Sequence, residues 1–160
     1  MRDFSAVYGE YREMIYRFIY RLCRNEELAE ELTQETFYQA MKSWEKFRGE
    51  SSVSTWLCAI AKRLYYASLR KPQTLELTEN AAHTPDIAET LLSSDRKMAA
   101  QRVLHRLPEP YREVFTLRTF CDLSHAQIAQ LFEKSESWAR VTYHRARQML
   151  QEAMREVEQE

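Results

Sequence analysis

The fold of this chain is decided by residues 123–150, LSHAQIAQLFEKSESWARVTYHRARQML. Ser124 and Ser135 stand where helix N-caps are preferred, and Gln127 is placed to complete a capping box with Ser124. Apolar residues recur at helical spacing on both sides of a break at residues 133–135. A short helix, a turn of about three residues and a basic second helix are what a helix-turn-helix needs to enter the DNA major groove. The plainer alternative is a helical hairpin with a solvated charged face.

The composition indicates an all-α protein and argues against several functional classes. The 160 residues include only 2 glycines, too few for a turn-rich β protein or a glycine-rich phosphate loop. No apolar run approaches the roughly 20 residues needed to span a membrane. The cysteines are widely spaced and the histidines are scattered, with no zinc-binding or HExxH spacing. We therefore expect a cytoplasmic protein with reduced thiols, no metal, no cofactor, no small-molecule substrate and no enzymatic activity.

The charge pattern divides the chain into three parts. Basic residues exceed acidic ones by 2 in residues 1–71 and again by 2 in residues 96–160, whereas residues 72–95 carry 5 acids and no base. We predict two small helical domains, residues 1–71 and 96–160, joined by a flexible acidic linker. The helix-turn-helix belongs to the C-terminal domain, and residues 87–92 are a candidate short helix within the linker.

The N-terminal half combines an acidic helix, a loop, and a helix with interleaved aromatic and basic residues. Apolar spacing predicts a helix over residues 4–22, a second after the N-cap Asn25, and a third ending near Arg70. The loop before the third helix is residues 47–52, FRGESS, in which Gly49 permits a chain reversal. Aromatic faces stack on unpaired bases while cations hold the backbone, so the third helix suits melted DNA.

Read together, the two halves resemble the extracytoplasmic-function (ECF) sigma factors of bacterial RNA polymerase. Residues 27–71 are similar to sigma region 2, and residues 107–150, with LPEPYREVFTLR, LSHAQIAQL and RAR, are similar to region 4. The phrase SESWARVTYHRAR, residues 135–147, most resembles a Firmicute subgroup linked to envelope stress. The resemblance implies a factor that binds core RNA polymerase, recognises the −35 and −10 promoter elements and promotes DNA melting for transcription initiation.

The resemblance also implies where the functional residues lie. Docking on a coiled coil of the polymerase β′ subunit points to Glu30, Glu31, Leu32, Gln34, Glu35 and Tyr38. Contact with the −10 element, including capture of a flipped base by the loop, points to Phe47, Arg48, Gly49, Glu50, Ser51, Ser52, Lys62, Arg63, Tyr66, Arg70 and Lys71. Contact with the −35 element points to Arg118, Ser135, Ser137, Arg140, Val141, His144, Arg145 and Arg147. Each set also has a plainer interpretation. The docking residues would be a solvated acidic face, and residues 47–52 would be a connecting loop. Arg63, Tyr66 and Arg70 would be a charged helix end, and His144 would be a solvated side chain. Trp56 and Leu57 are expected in the core.

The implied partners are core RNA polymerase, through its β′ and β subunits, and promoter DNA in duplex and melted form. An anti-sigma factor is a further implied partner, and in many members of the family it is membrane-anchored. The alternative function is a stand-alone helix-turn-helix repressor, which would bind duplex DNA as a dimer without polymerase. That alternative leaves the FRGESS loop and the aromatic and basic third helix without a role.

Three positions depart from the pattern of the family. Arg63 stands where asparagine is common, and Ala67 replaces a usual aspartate, so the −10 sequence preference is open. Glu133 replaces the glycine of the turn. We therefore expect either left-handed backbone strain at Glu133 or a turn of different build.

Overall fold

The computed structural model describes residues 3–70 and 95–159, and every regular element in these residues is helical. The N-terminal half contains α1 (Phe4–Cys23), α2 (Glu26–Ser43), a single 3-10 turn (Trp44–Lys46) and α3 (Val53–Arg70). The C-terminal half contains α4 (Asp95–Arg106), α5 (Tyr111–Phe120), α6 (His125–Phe132) and α7 (Glu136–Glu158). The prediction of an all-α fold with a C-terminal helix-turn-helix is confirmed. The candidate helix at residues 87–92 lies outside the described residues.

Local chemistry accounts for where the N-terminal helices begin and end. Asn25 begins α2, because its side-chain oxygen accepts the Leu28 N–H at 3.0 Å. Ser52 begins α3 in the same way, accepting the Thr55 N–H at 3.1 Å. Arg24 ends α1 in the left-handed conformation, with φ of 55°, and its N–H donates to the Tyr20 carbonyl at 2.7 Å. These caps satisfy backbone groups that a helix end leaves without partners.

The N-terminal half is a three-helix unit with its own apolar centre. Phe18 and Ile19 of α1 are fully buried against α2 and α3, as is Leu57 of α3. Full burial of such a side chain contributes about 1.5–3 kcal/mol relative to exposure. Leu57 therefore lies in the core, as predicted, whereas Trp56 is half-buried and packs against its edge.

The C-terminal half wraps its shorter helices around α7. Val114 and Leu117 of α5 and Ile128 of α6 are fully buried, and they meet Ala139 on the inner face of α7. Helix α4 packs along the same long helix. The small side chain at Ala139 allows close approach of the neighbouring helices, which fixes the position of the recognition helix.

The two halves pack against each other through one continuous apolar cluster. Helix α1 contacts α5, and α3 contacts α6. Buried residues of both halves belong to this cluster, among them Cys58 in α3 and Cys121 just after α5. An acidic linker was expected to permit many arrangements of the halves. The structure instead has a specific closed arrangement, because each half presents an apolar face that the other half covers.

Candidate nucleic-acid interface

The helix-turn-helix is built by the caps that the sequence predicts. The Ser124 hydroxyl accepts the Gln127 N–H at 3.1 Å, and the Gln127 side chain accepts the Ser124 N–H at 2.8 Å. Ser135 begins α7 by accepting the Trp138 N–H at 3.0 Å. Glu133 ends α6 with φ of 56° and ψ of 43°, the left-handed alternative of the two expected at this position. Such a backbone costs a non-glycine residue about 1–2 kcal/mol.

Helix α7 turns a basic face toward solvent over its first three turns. Its buried side consists of small residues, Ala139, Thr142 and Ala146. The opposite side carries the predicted −35 candidates at helical spacing, all of them exposed: Ser137, Arg140, Val141, His144, Arg145 and Arg147. Val141 is 46% exposed, an apolar side chain surrounded by cations. An open basic face with an apolar group at its centre can meet phosphates and thymine methyl groups in a major groove.

Two further −35 candidates occupy structural positions at the edges of the motif. Arg118 is half-buried, and its guanidinium donates to the Leu123 carbonyl at 3.5 Å, next to the start of α6. Ser135 uses its hydroxyl as the cap of α7. The rings of Phe115 in α5 and Tyr143 in α7 stack with centroids 5.7 Å apart, and this contact holds α7 against α5. These contacts orient the recognition helix whether or not Arg118 and Ser135 also touch DNA.

An aromatic stack supports the loop that precedes α3. The ring of Phe47 stacks on Trp56, with centroids 4.6 Å apart, and on Trp44, at 5.7 Å. Phe47 is therefore half-buried and anchors the loop, so its ring is not offered to an incoming base. The tip of the loop is exposed at Arg48 and Gly49, and Gly49 has φ of 74°. A residue with a side chain would be strained in that conformation.

The remaining loop candidates differ in exposure. Glu50 is exposed, and Ser51 and Ser52 are half-buried. Besides capping α3, the Ser52 hydroxyl accepts a hydrogen bond from the side-chain amide of Gln127 at 3.0 Å. The loop is therefore in direct contact with the helix-turn-helix.

Helix α3 divides its DNA candidates between solvent and the other half. Arg63 and Arg70 are exposed, and Lys71 lies outside the described residues. Lys62 and Tyr66 instead face the C-terminal half. Lys62 Nζ lies 3.5 Å from Glu113 Oε1 and 3.4 Å from the centroid of the Phe132 ring, and the Tyr66 hydroxyl donates to Glu113 Oε2 at 2.8 Å.

Glu113 is the functional candidate that sequence reasoning missed. It is 1% exposed, and Oε1 has no hydrogen-bond partner beyond its ion pair with Lys62. Burial raises the pKa of Glu113 above its ordinary value of 4.5, against the opposing effects of Lys62 and Tyr66; nearby Glu109 raises it further. Burial, followed by the charge of Glu113, also raises the pKa of Tyr66. A glutamate on the apolar stripe of α5 is the one sequence signal of this site, since glutamate is rarely buried without a partner.

The candidate docking face on α2 is acidic with exposed apolar groups near its C-terminal end. Glu31, Gln34 and Glu35 are exposed, and Tyr38 is 53% exposed. Glu30 forms an ion pair with Arg12 of α1 at 2.8 Å. Beyond Tyr38, Met41 continues the same stripe as a second exposed large apolar side chain. Aromatic residues and methionine are enriched in protein interfaces.

One docking candidate requires correction. Leu32 is 7% exposed and belongs to the core. Its position on α2 shares a helical face with buried Ala29 and Thr36, which points its side chain toward the interior and away from a polymerase. The docking prediction is therefore confined to the other five candidates.

The described residues contain neither a metal-binding cluster nor a membrane-spanning helix. Within residues 3–70 and 95–159, no three His, Cys, Asp or Glu side chains come together in a group that could hold a metal ion. None of the helices in this part of the chain is long and apolar enough to cross a bilayer.

Comparison with known proteins gives matches to both halves. The family model for sigma-70 region 2 matches residues 7–74, and the model for sigma-70 region 4 matches residues 97–150. The RNA polymerase sigma factor YlaC of Bacillus subtilis (strain 168) is 32% identical over 155 residues, covering 92% of this chain and 90% of that protein. The ECF RNA polymerase sigma factor SigX of the same organism is 28% identical over 94% of this chain and 83% of its own length.

Two solved structures share the fold at lower sequence identity. The sigma factor RpoE from Bartonella quintana, in complex with the anti-sigma factor NepR, has a TM-score of 0.79 and 22% identity, covering 97% of this chain and 98% of that one. CnrH, in complex with the cytosolic domain of CnrY, has a TM-score of 0.69 and 18% identity, covering 92% of this chain and 84% of that one. At these identities the likeness concerns the fold alone.

Proposed function

Since this chain belongs to the extracytoplasmic-function (ECF) family of RNA polymerase sigma factors, we propose that it divides promoter recognition between its two halves. Helix α7 reads the −35 element, and α3 with the loop before it binds the −10 element. The observation that carries this assignment is the exposed basic face of α7, presented by a capped helix-turn-helix.

The −35 assignment rests on the chemistry of the exposed face. Arg140 and Arg145 extend into solvent, where a guanidinium is able to donate two hydrogen bonds to a guanine edge or to bind phosphate. Val141 lies between them along the helix, at the position suited to a thymine methyl group. His144 and Arg147 extend the basic surface toward the flanking backbone.

The −10 assignment rests on the exposed loop and the outer side of α3. Arg48 and Gly49 form an open tip, supported from below by the stacked ring of Phe47. Arg63 and Arg70 place two cations on the outer side of α3. A loop tip with small groups for a flipped base and nearby cations for the backbone suits an unstacked single strand.

The polymerase-binding assignment rests on the exposed stripe of α2. Glu31, Glu35 and Tyr38 are exposed, and Tyr38 and Met41 leave large apolar surface in water. Such a surface gains most from covering by a partner that brings cations to the rim and apolar side chains to the centre. We assign this partner as the β′ coiled coil of core polymerase, with β as the second polymerase subunit that the chain contacts.

We also propose an anti-sigma factor as a second partner, and a cytoplasmic location beside the polymerase. The support is that RpoE from Bartonella quintana, a sigma factor of similar fold, was solved in complex with the anti-sigma factor NepR, and that CnrH, also of similar fold, was solved with the cytosolic domain of CnrY. A membrane-anchored partner and the Firmicute envelope-stress subgroup are finer parts of the same proposal. Residues 135–147 and the similarity to the two B. subtilis factors support the subgroup.

The test is transcription with purified components. The chain is mixed with bacterial core polymerase and a library of promoter fragments randomised at the −35 and −10 positions, and the transcripts are sequenced. New start sites that share both elements, and that appear only when chain and core are combined, are the expected result. Binding of duplex DNA by a dimer of the chain without core, and no new transcripts, would favour the repressor alternative.

A further inference from the structure

The closed arrangement covers part of the surface assigned to the −10 element. Three contacts join the halves at this place: Lys62 and Tyr66 with Glu113, and Ser52 with Gln127. A fourth, weaker contact runs from the Gln130 amide to the Glu50 carbonyl, at 3.5 Å. All four groups from the N-terminal half lie in the loop or on α3.

The carboxylate of Glu113 makes the contacts that a DNA phosphate would make. One of its oxygens faces the Lys62 ammonium at 3.5 Å, and the other accepts the Tyr66 hydroxyl at 2.8 Å. A phosphate oxygen takes the same two kinds of donor, a cation and a hydroxyl. The Lys62 side chain is 21% exposed, but both donors are directed at the buried carboxylate, so a phosphate cannot take the place of Glu113 while the halves remain together.

We propose that Glu113 is an intramolecular substitute for promoter DNA, which holds the free chain closed and keeps Lys62 and Tyr66 from the −10 strand until the halves separate. This inference rests on the proposed function, because it takes α3 as the −10 surface. The recognition face of α7 is not covered, since its side chains remain exposed in the closed arrangement. The closed arrangement therefore blocks the −10 contacts of Lys62 and Tyr66 and leaves the −35 surface open.

The contact between Glu113 and Lys62 is specific, but its electrostatics allow it to be broken easily. Glu113 Oε1 is buried with only an ion pair at 3.5 Å to offset the loss of water. A buried ion pair of this kind adds little net stability, although removal of one partner leaves the other without compensation. A partner that draws the halves apart, such as core polymerase, therefore has only a small cost to overcome at this contact.

Two cysteines at the junction report the separation of the halves. Cys58 and Cys121 are both buried, and the neighbouring Cys121 thiol, followed by burial, raises the pKa of Cys58. A protonated, covered thiol reacts slowly with a maleimide, and it reacts faster in proportion to the open population. The rate of Cys58 labelling in the full chain, measured by peptide mass spectrometry, is therefore an assay of opening.

The variant that tests the proposal is Glu113→Ala. It leaves Lys62 and Tyr66 without their partner in the closed form, so we expect about tenfold faster labelling of Cys58, equivalent to about 1.4 kcal/mol. Binding of a fluorescent 20-nucleotide single-stranded DNA of random sequence should tighten by a similar factor, because apparent affinity follows the competent fraction. Glu113→Gln keeps an acceptor for the Tyr66 hydroxyl. Its Cys58 labelling rate and its affinity for single-stranded DNA should therefore fall between those of Glu113→Ala and the wild type.

Two further variants keep the test independent of folding at position 113. Phe120→Ala removes the ring that lies under the Arg21 guanidinium at 3.6 Å, a contact between the halves outside the DNA surface, and it should also speed labelling. Glu156→Ala, an exposed acid at the far end of α7, is the charge-matched control and should change nothing. Unchanged labelling in Glu113→Ala would overturn the proposal, most clearly if Phe120→Ala speeds labelling.

Faster labelling without tighter single-strand binding would also overturn it, because opening would then release no DNA-binding surface. Transcription by wild-type chain with core polymerase separates this outcome from a failure of the proposed function. If promoter-specific transcripts form, the sigma-factor assignment stands and only the masking by Glu113 is wrong.

Discussion

Replacement of Arg140 by alanine is the sharpest test of the −35 surface. Arg140 lies in the second turn of α7 with its side chain 59% exposed, and it forms an ion pair with Glu136, one turn earlier, at 3.1 Å. An exposed pair at this spacing contributes about 0.3–0.5 kcal/mol. The substitution should therefore lower the free energy of unfolding by no more than about 0.5 kcal/mol, so any larger effect on transcription arises from DNA.

The expected loss at the promoter is larger. A good bidentate contact to a base is worth about 1–3 kcal/mol of discrimination, which corresponds to roughly 5- to 150-fold in affinity. If Arg140 binds only phosphate, the loss of affinity is the same for all DNA sequences. The slope of log affinity against log salt concentration then falls by about one unit. Either way, binding of core polymerase should be unchanged, because the side chain is open to solvent on α7 and the candidate docking residues are on α2.

The assay is single-round transcription by reconstituted holoenzyme, from the promoter found by the library experiment and from a version with a scrambled −35 element. Arg155→Ala supplies the matched control, since it removes an exposed arginine from the last turns of the same helix. Arg140→Ala should lose activity on the intact promoter and little on the scrambled one. Equal losses on both promoters, or a parallel loss of core affinity, would refute the assignment of Arg140 to the −35 element.

Three further predictions concern other parts of the molecule. Glu35→Lys should weaken core binding at least tenfold in a competition assay, whereas Glu45→Lys, an exposed acid beyond α2, should not; equal behaviour would remove α2 from the docking surface. Gly49→Ala should lower the free energy of unfolding by about 1 kcal/mol through its φ of 74°, and a neutral result in chemical denaturation would contradict this reading of the loop. Because burial raises the pKa of Glu113 in the folded chain, its contribution to stability is fully present below 4.5 and is lost as pH rises through the folded value. The stability of the wild type relative to Glu113→Gln should therefore fall as pH rises through that window in urea unfolding, and a pH-independent difference would show that Glu113 does not titrate there.

The helices and the DNA-reading motif were predictable because their signals are local. Asn25, Ser124 and Ser135 cap the helices that follow them, as predicted, because each cap needs only a side-chain oxygen and a backbone N–H three residues later. The basic face of α7 follows from helical spacing alone. The left-handed backbone at Glu133 was one of two alternatives, and only the structure distinguishes them.

The closed arrangement was not predictable, since it depends on contacts between residues far apart in the chain. Glu113 meets Tyr66 across 47 positions, and no local pattern states which acid faces which helix. Leu32 and Phe47 have a different explanation. Both were assigned to binding surfaces from their place in a motif, but packing in the core buries Leu32, and Phe47 stacks on the nearby rings of Trp44 and Trp56. Helix phase alone would have identified Leu32 as an inward position.

The most direct test of the central claim is permanganate probing of promoter DNA, which marks unpaired thymines. A promoter fragment is treated with permanganate in the presence of chain alone, core polymerase alone, and both together. The account predicts reactive thymines in the −10 region only when both are present, and their loss when the −10 sequence is scrambled. Protection of duplex DNA by the chain alone, with no reactive thymines when core is added, would contradict it.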